Sequence, residues 1–125
     1  MELLGLGTQV LDCEKVAKLI DEHGETFLRE VFTLKEIRRC RDRAHSTEAY
    51  TAIWACKEAV FRALGTRWNK EMSWLDVEIC HDKTGDSVTI HGPTKDRVEA
   101  RGVKNFMVSS SHTRRFATAT AIAVG

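Results

Sequence analysis

Proline is almost absent: Pro93 is the only one in 125 residues. No linker-like or low-complexity segment interrupts the chain, and no internal repeat is visible. One domain over residues 1–125 is therefore expected, long enough to bury a single core. Long hydrophobic runs are missing too. Nothing approaches the roughly 20 apolar residues of a membrane-spanning helix. The apolar start, MELLGLGTQVLD, is short and carries neither a basic leader nor a small-residue cleavage site, which argues against export. Charge of one sign is not in excess. The formal net charge is +1, which gives no general electrostatic case for binding nucleic acid or an anionic membrane. The four cysteines, Cys13, Cys40, Cys56 and Cys80, include no C-x-x-C pair. That excludes the usual zinc and redox motifs and leaves reduced thiols in a cytoplasmic chain as the expectation.

What is present is a globular composition, 42% hydrophobic and 30% charged. Residues 2–9, ELLGLGTQ, read as a short buried strand interrupted by glycines. Asp12 caps a helix over about 13–22, with Val16, Leu19 and Ile20 on one face, and Gly24 ends it. Phe27, Leu28, Val31 and Phe32 form a short apolar cluster. Thr33 and Glu36 match a capping box that opens a helix over about 34–43. A long helix starts at Ser46 or Thr47 and ends at Gly65. The period then changes. Leu75, Val77 and Ile79 alternate with polar neighbours, Lys83-Thr84-Gly85-Asp86 supplies a turn, and SVTIHG returns as a strand. Pro93 and Gly102 bracket a helix over about 94–101. KNFMVSSS and FATATAIAV follow as two strands joined by HTRR. In the last of these, Ala117, Ala119, Ala121 and Ala123 share a face on which a helix can pack closely. The expected fold is α+β, a mainly antiparallel sheet covered by helices.

The long helix raises a question at WACKEAVFRALG, residues 54–65. At the α-helical period, Ile53, Trp54, Cys56, Val60, Phe61 and Leu64 spread over one apolar arc. Lys57 falls inside that arc, and Glu58 and Arg62 share its border one turn apart. A surface ion pair and a snorkelling lysine are the simple explanations. Two cations and a carboxylate on one side of a helix also suit a phosphate-bearing ligand with a metal held on the carboxylate. A second feature is VSSSHT, residues 108–113, at the end of a strand. It offers hydroxyl donors and a histidine that can donate a proton, although serine and threonine are also ordinary turn residues. No G-x-S-x-G elbow accompanies it, so a serine hydrolase is poorly supported. The GLGTQ segment, residues 5–9, lacks the third glycine and the following helix of a dinucleotide fingerprint.

Three segments in register resemble a known family. Gly5-Leu6-Gly7-Thr8-Gln9, Trp54-Ala55-Cys56-Lys57-Glu58-Ala59 running to Ala63-Leu64-Gly65-Thr66, and Ser109-Ser110-Ser111-His112-Thr113 are similar to the motifs of the holo-acyl-carrier-protein synthase type of 4′-phosphopantetheinyl transferase. The resemblance covers nearly the whole chain. It implies transfer of 4′-phosphopantetheine from coenzyme A to a serine of an acyl carrier protein, with magnesium assistance, in a homotrimer whose sites lie between subunits. It implies a cytoplasmic enzyme of fatty acid biosynthesis. Glu58 and Gln9 would hold the metal. Lys57 would act with Glu58 in catalysis, Lys57 and Arg62 would lie by the coenzyme A phosphates, and Gly65 would also bind coenzyme A. Ser111, His112 and Thr113 would approach its nucleotide end.

The sequence departs from the family's pattern at three places. Gln9 stands where the family has a metal-binding aspartate, Ile53 where it often has arginine, and Arg62 where lysine is commoner. Gln9 keeps open a non-catalytic relative that binds coenzyme A or a carrier protein without transfer. A small α+β domain with an unrelated binding role is a further alternative. Carrier proteins are generally acidic, so a basic docking surface is expected. Lys35, Arg38, Arg39, Arg41 and Arg43 form the densest basic cluster. The helix over 13–22 offsets Lys15 and Lys18 with Glu14, Asp21 and Glu22.

Overall fold

Asp12 marks the first change of secondary structure in the computed structural model, which describes residues 1–65 and 72–125. Strand β1 (Leu3–Asp12) runs up to it, and its carboxylate accepts from the Glu14 amide at 2.9 Å to cap helix α1 (Cys13–His23). Gly24, at φ 54°, turns the chain into α2 (Glu25–Val31), whose Phe27, Leu28 and Val31 are buried. The expected capping box is present, with Thr33 and Glu36 each accepting the other's backbone N–H at the start of α3 (Leu34–Arg41). The long helix is α4 (Ser46–Ala63). Hairpin β2 (Val77–Asp82) and β3 (Gly85–Ile90), helix α5 (Gly92–Ala100), and hairpin β4 (Asn105–His112) and β5 (Phe116–Val124) complete the order.

Among the described residues the strands form two antiparallel sheets, one ordered β1-β5-β4 and the other β2-β3. The architecture is α+β, antiparallel sheets covered by helices, as expected. Helix α4 lies across the three-stranded sheet. Ala117, Ala119, Ala121 and Ala123 of β5 are buried beneath it. Small residues on the neighbouring strand bring the helix closer still. A methyl group on Gly5 would overlap the carbonyl oxygen of Ala63, and one on Gly7 would overlap that of Ala59. Backbone thus meets backbone between β1 and α4, which fixes what the next inward residue of β1, Gln9, can reach.

Two expectations need correction. The first strand is ten residues long and only half covered. Leu3, Leu6 and Val10 are 69%, 65% and 58% exposed. The glycines face the helix, so the large side chains between them face away. In register, Leu6, Ile122 and Met107 form one row across this outer face, Thr8, Thr120 and Ser109 the next, and Val10, Thr118 and Ser111 a third. The second correction concerns Leu75. It lies in a 3₁₀ turn, Trp74–Asp76, capped by the Ser73 hydroxyl, rather than in a strand. Val77, Glu78 and Ile79 are then buried in succession. Glu78 turns inward because Thr33 Oγ1 donates to it at 2.5 Å and His91 Nε2 lies 3.2 Å from it.

Candidate functional site

Lys57 is wholly buried, with 0% of its side chain exposed. Its Nζ lies 2.7 Å from Glu36 Oε1 and donates to the Trp74 and Val77 carbonyl oxygens at 3.0 and 2.7 Å. Three partners match the three donors of an ammonium. Burial pushes its pKa below the ordinary lysine value, and the Glu36 carboxylate opposes that shift. Glu36 is itself held by the amides of Thr33 and Ile79, each at 2.8 Å. This corrects the expectation that Lys57 faces phosphate beside Glu58. A lysine inside the apolar arc needs a buried counter-charge, and α3 supplies it. Lys57 therefore ties α4 to α3 and to the start of β2.

Glu58, one residue on, points the other way and is half-buried. Gln9 donates from its amide Nε2 to Glu58 Oε2, while its Oε1 accepts from the Val10 amide at 3.0 Å. Arg62, one turn beyond Glu58, is exposed. Asp12, the nearest other acid of β1, is engaged as the cap of α1. At the end of α4, Gly65 adopts φ 73°, and Arg101 donates to the Leu64 carbonyl oxygen beside it. Gly65 thus ends the helix in a conformation that side chains rarely adopt. Thr66 lies outside the described residues.

Strand alternation divides the Ser111-His112-Thr113 segment. His112 is on the inner face with Ser110, whereas Ser111 is on the outer face, 3.2 Å from Thr118 across the strand pair. Thr113 is engaged in the β4–β5 turn, its hydroxyl accepting from the amides of Arg115 and Phe116 at 3.3 and 3.2 Å. Among the described residues, His112 opens into a cavity. It shares a pocket of about 190 Å³ with Arg39, Arg43, Ile53, Cys56 and Ser110. A larger cleft of about 780 Å³, lined by Lys35, Arg39, Arg43, His81 and Asp86, adjoins it. Arg39 lies 3.4 Å from Asp86, and its buried Nη1 has no partner among the described residues. Arg39 and Arg43 were legible as a basic cluster but not as pocket walls. The helix expected over about 34–43 ends at Arg41, so Arg43 lies in the bend beyond α3, and helical spacing could not place it beside Arg39.

The two groups lie on opposite flanks of α4. Cys56 lines the His112 pocket and is two residues from Glu58, which turns it about 200° away around the helix. Gln9 and Ser110 sit across from each other through Ala119, two strand spacings or about 10 Å apart. Within one chain, Glu58, Gln9 and Arg62 come together, and so do His112, Arg39 and Arg43, but the two sets do not meet.

Magnesium favours hard oxygen ligands and commonly takes one or two carboxylates plus phosphates and water. Here Glu58 is the single carboxylate, and Gln9 presents N–H rather than oxygen to it. Among the described residues no group of three or more His, Cys, Asp or Glu could hold a metal ion. These side chains alone do not form a two-carboxylate magnesium seat.

The family model described as the 4′-phosphopantetheinyl transferase superfamily matches residues 5–121. The chain is 38% identical over 100 residues to the holo-[acyl-carrier-protein] synthase of Rhodopirellula baltica, a match covering 79% of each. It is 36% identical over 124 residues to that of Ruminiclostridium cellulolyticum, covering 98% of this chain and 92% of the relative. Its fold is similar to the crystal structure of holo-[acyl-carrier-protein] synthase from Neisseria meningitidis, with a TM-score of 0.89 at 21% identity over 99% of this chain and 100% of the other. The Helicobacter pylori enzyme, crystallised in complex with coenzyme A, gives a TM-score of 0.83 at 23% identity over 95% and 99%.

Proposed function

The chain belongs to the 4′-phosphopantetheinyl transferase superfamily, and on that premise we propose that it is a holo-acyl-carrier-protein synthase transferring 4′-phosphopantetheine from coenzyme A to a serine of an apo acyl carrier protein. The observation that carries the site assignment is the half-buried Glu58, held by Gln9 with Arg62 one turn on. In the reaction, the serine oxygen bonds to the phosphorus that bears pantetheine. The pyrophosphate P–O bond breaks, and adenosine 3′,5′-bisphosphate leaves. Glu58 orients the serine hydroxyl and takes its proton. Arg62 offsets the negative charge on the pyrophosphate oxygens. His112, Arg39 and Arg43 grip the nucleotide end. Such groups act by positioning and by charge already in place. Lys57 acts only through the packing of α4.

The family resemblance implies magnesium. Its place in this chain depends on phosphate oxygens brought by coenzyme A, since Glu58 and Gln9 alone do not form the seat.

We also read residues 1–125 as one domain that assembles as a homotrimer. Two observations support assembly: the uncovered outer sheet face, and the separation of Glu58 from His112 across α4. A second copy would bring its His112 pocket to the first copy's Glu58. The setting we propose is cytoplasmic, supplying holo carrier protein for fatty acid biosynthesis. Among the described residues no helix is long and apolar enough to cross a membrane. The experiment is to incubate the protein with coenzyme A, magnesium and apo carrier, then weigh the carrier by mass spectrometry. The phosphopantetheine mass gain should appear with the wild type and vanish with Glu58→Gln. Binding of coenzyme A with no gain on any carrier would favour the non-catalytic relative that Gln9 keeps open.

A further inference from the structure

We propose that the Gln9 amide takes the place of a divalent cation beside Glu58, so that the free chain holds its site carboxylate in position without metal. The packing of β1 on α4 carries this. Gly5 and Gly7 let strand and helix backbones touch, and Gln9 is the next inward residue of the same strand. Its side chain is thereby delivered to Glu58. The orientation of the amide is set twice. An ionised carboxylate only accepts, so the NH₂ must face Glu58 Oε2. The Val10 amide only donates, so the carbonyl oxygen must face it, at 3.0 Å. A cation binding to both side chains has to break both bonds and turn the amide over.

The charge balance points the same way. A carboxylate at position 9 would face Glu58 as a like charge, an arrangement that needs a proton or a cation between the two. An amide supplies a donor and no charge. Gln9 is therefore a positioning residue, making the geometry of Glu58 independent of metal supply.

This inference rests on Glu58 being the site carboxylate proposed above, but its test needs no transfer. Manganese serves as the probe, followed by electron paramagnetic resonance on the full chain, beside thermal unfolding in chelator and in millimolar magnesium. Wild type should bind manganese weakly and unfold at the same temperature in both buffers. Gln9→Asp should bind manganese about 10–100-fold more tightly. Its midpoint should fall by about 4 °C in chelator and recover in magnesium. Adding Glu58→Gln to Gln9→Asp should remove the fall and the magnesium response together. The proposal is overturned if wild type binds manganese as tightly as Gln9→Asp, or if magnesium stabilises both equally. It is also overturned if the Gln9→Asp midpoint stays lowered in magnesium, because a cation then cannot stand in for the amide. If these results hold while no carrier is ever modified, the transferase assignment fails and the amide's role stands.

Discussion

Removing the Lys57 amine would leave Glu36 charged, buried and without its cation. Breaking a buried pair from one side typically costs about 3–5 kcal/mol. Lys57→Ala should therefore lower the unfolding free energy by about that much in a denaturant titration. Arg62→Ala should leave that titration nearly unchanged and raise KM for coenzyme A. The contrast separates two cations that the helical period placed close together. Spacing alone put Lys57 inside the apolar arc. It could not reveal that the counter-charge is Glu36, contributed by α3. The thiols give a second residue-scale test. Cys13, Cys40 and Cys56 are buried and Cys80 is half-buried. Burial pushes the Cys40 and Cys56 thiols up to about 11. A thiol whose folded pKa is raised favours the folded state fully at low pH, and that contribution is lost as pH rises. Stability should thus fall between the ordinary thiol value of 9.0 and about 11, and Cys56→Ala should make that decline shallower. In the native protein, a thiol reagent should modify Cys80 first.

Among the elements, the contact of β1 with α4 is the tightest constraint. A methyl on Gly7 meets backbone at Ala59, which cannot rotate away. Gly7→Ala should force strand and helix apart and cost about 1–3 kcal/mol or more, measured by the denaturant midpoint. The same shift should weaken the Gln9–Glu58 contact. Much of this level was legible in the sequence. Asp12, Thr33 with Glu36, and Gly24 announce helix ends by their own chemistry, and the alanines of β5 announce a face. Pairing was less so. Alternation shows which residues share a face but not which strand lies alongside, so the split into two sheets was not visible. The 3₁₀ turn at Leu75 was masked because its neighbours Val77 and Ile79 continue the same alternation. Glu78 turns inward only because Thr33 and His91 wait there, and both are distant in the sequence.

At the scale of the whole molecule, charge and exposed apolar surface divide the exterior. The basic helix α3 splits by partner. Arg41 is paired with Glu25 at 2.5 Å, Arg39 faces the His112 pocket with Asp86, and Arg38 is exposed. Arg38→Glu should raise KM for an acidic carrier with little change for coenzyme A. Arg39→Glu should raise KM for coenzyme A instead. Equal effects on both substrates would remove α3 from carrier docking. The outer rows of β1, β5 and β4 carry Leu6, Val10 and Met107 into solvent. Sedimentation should report an oligomer, and Leu6→Glu with Met107→Glu should reduce it to single chains.

The two flanks of α4 have a genetic consequence. If Glu58 works with a neighbour's His112, no chain is a complete enzyme, and two different defects can repair each other. Chains carrying Glu58→Gln should be inactive alone, and chains carrying His112→Ala should transfer little at limiting coenzyme A. Unfolded together and refolded as mixed oligomers, they should recover transfer at about one site in four, the chance that an intact glutamate meets an intact histidine. Mixing the preformed oligomers without exchange should recover nothing.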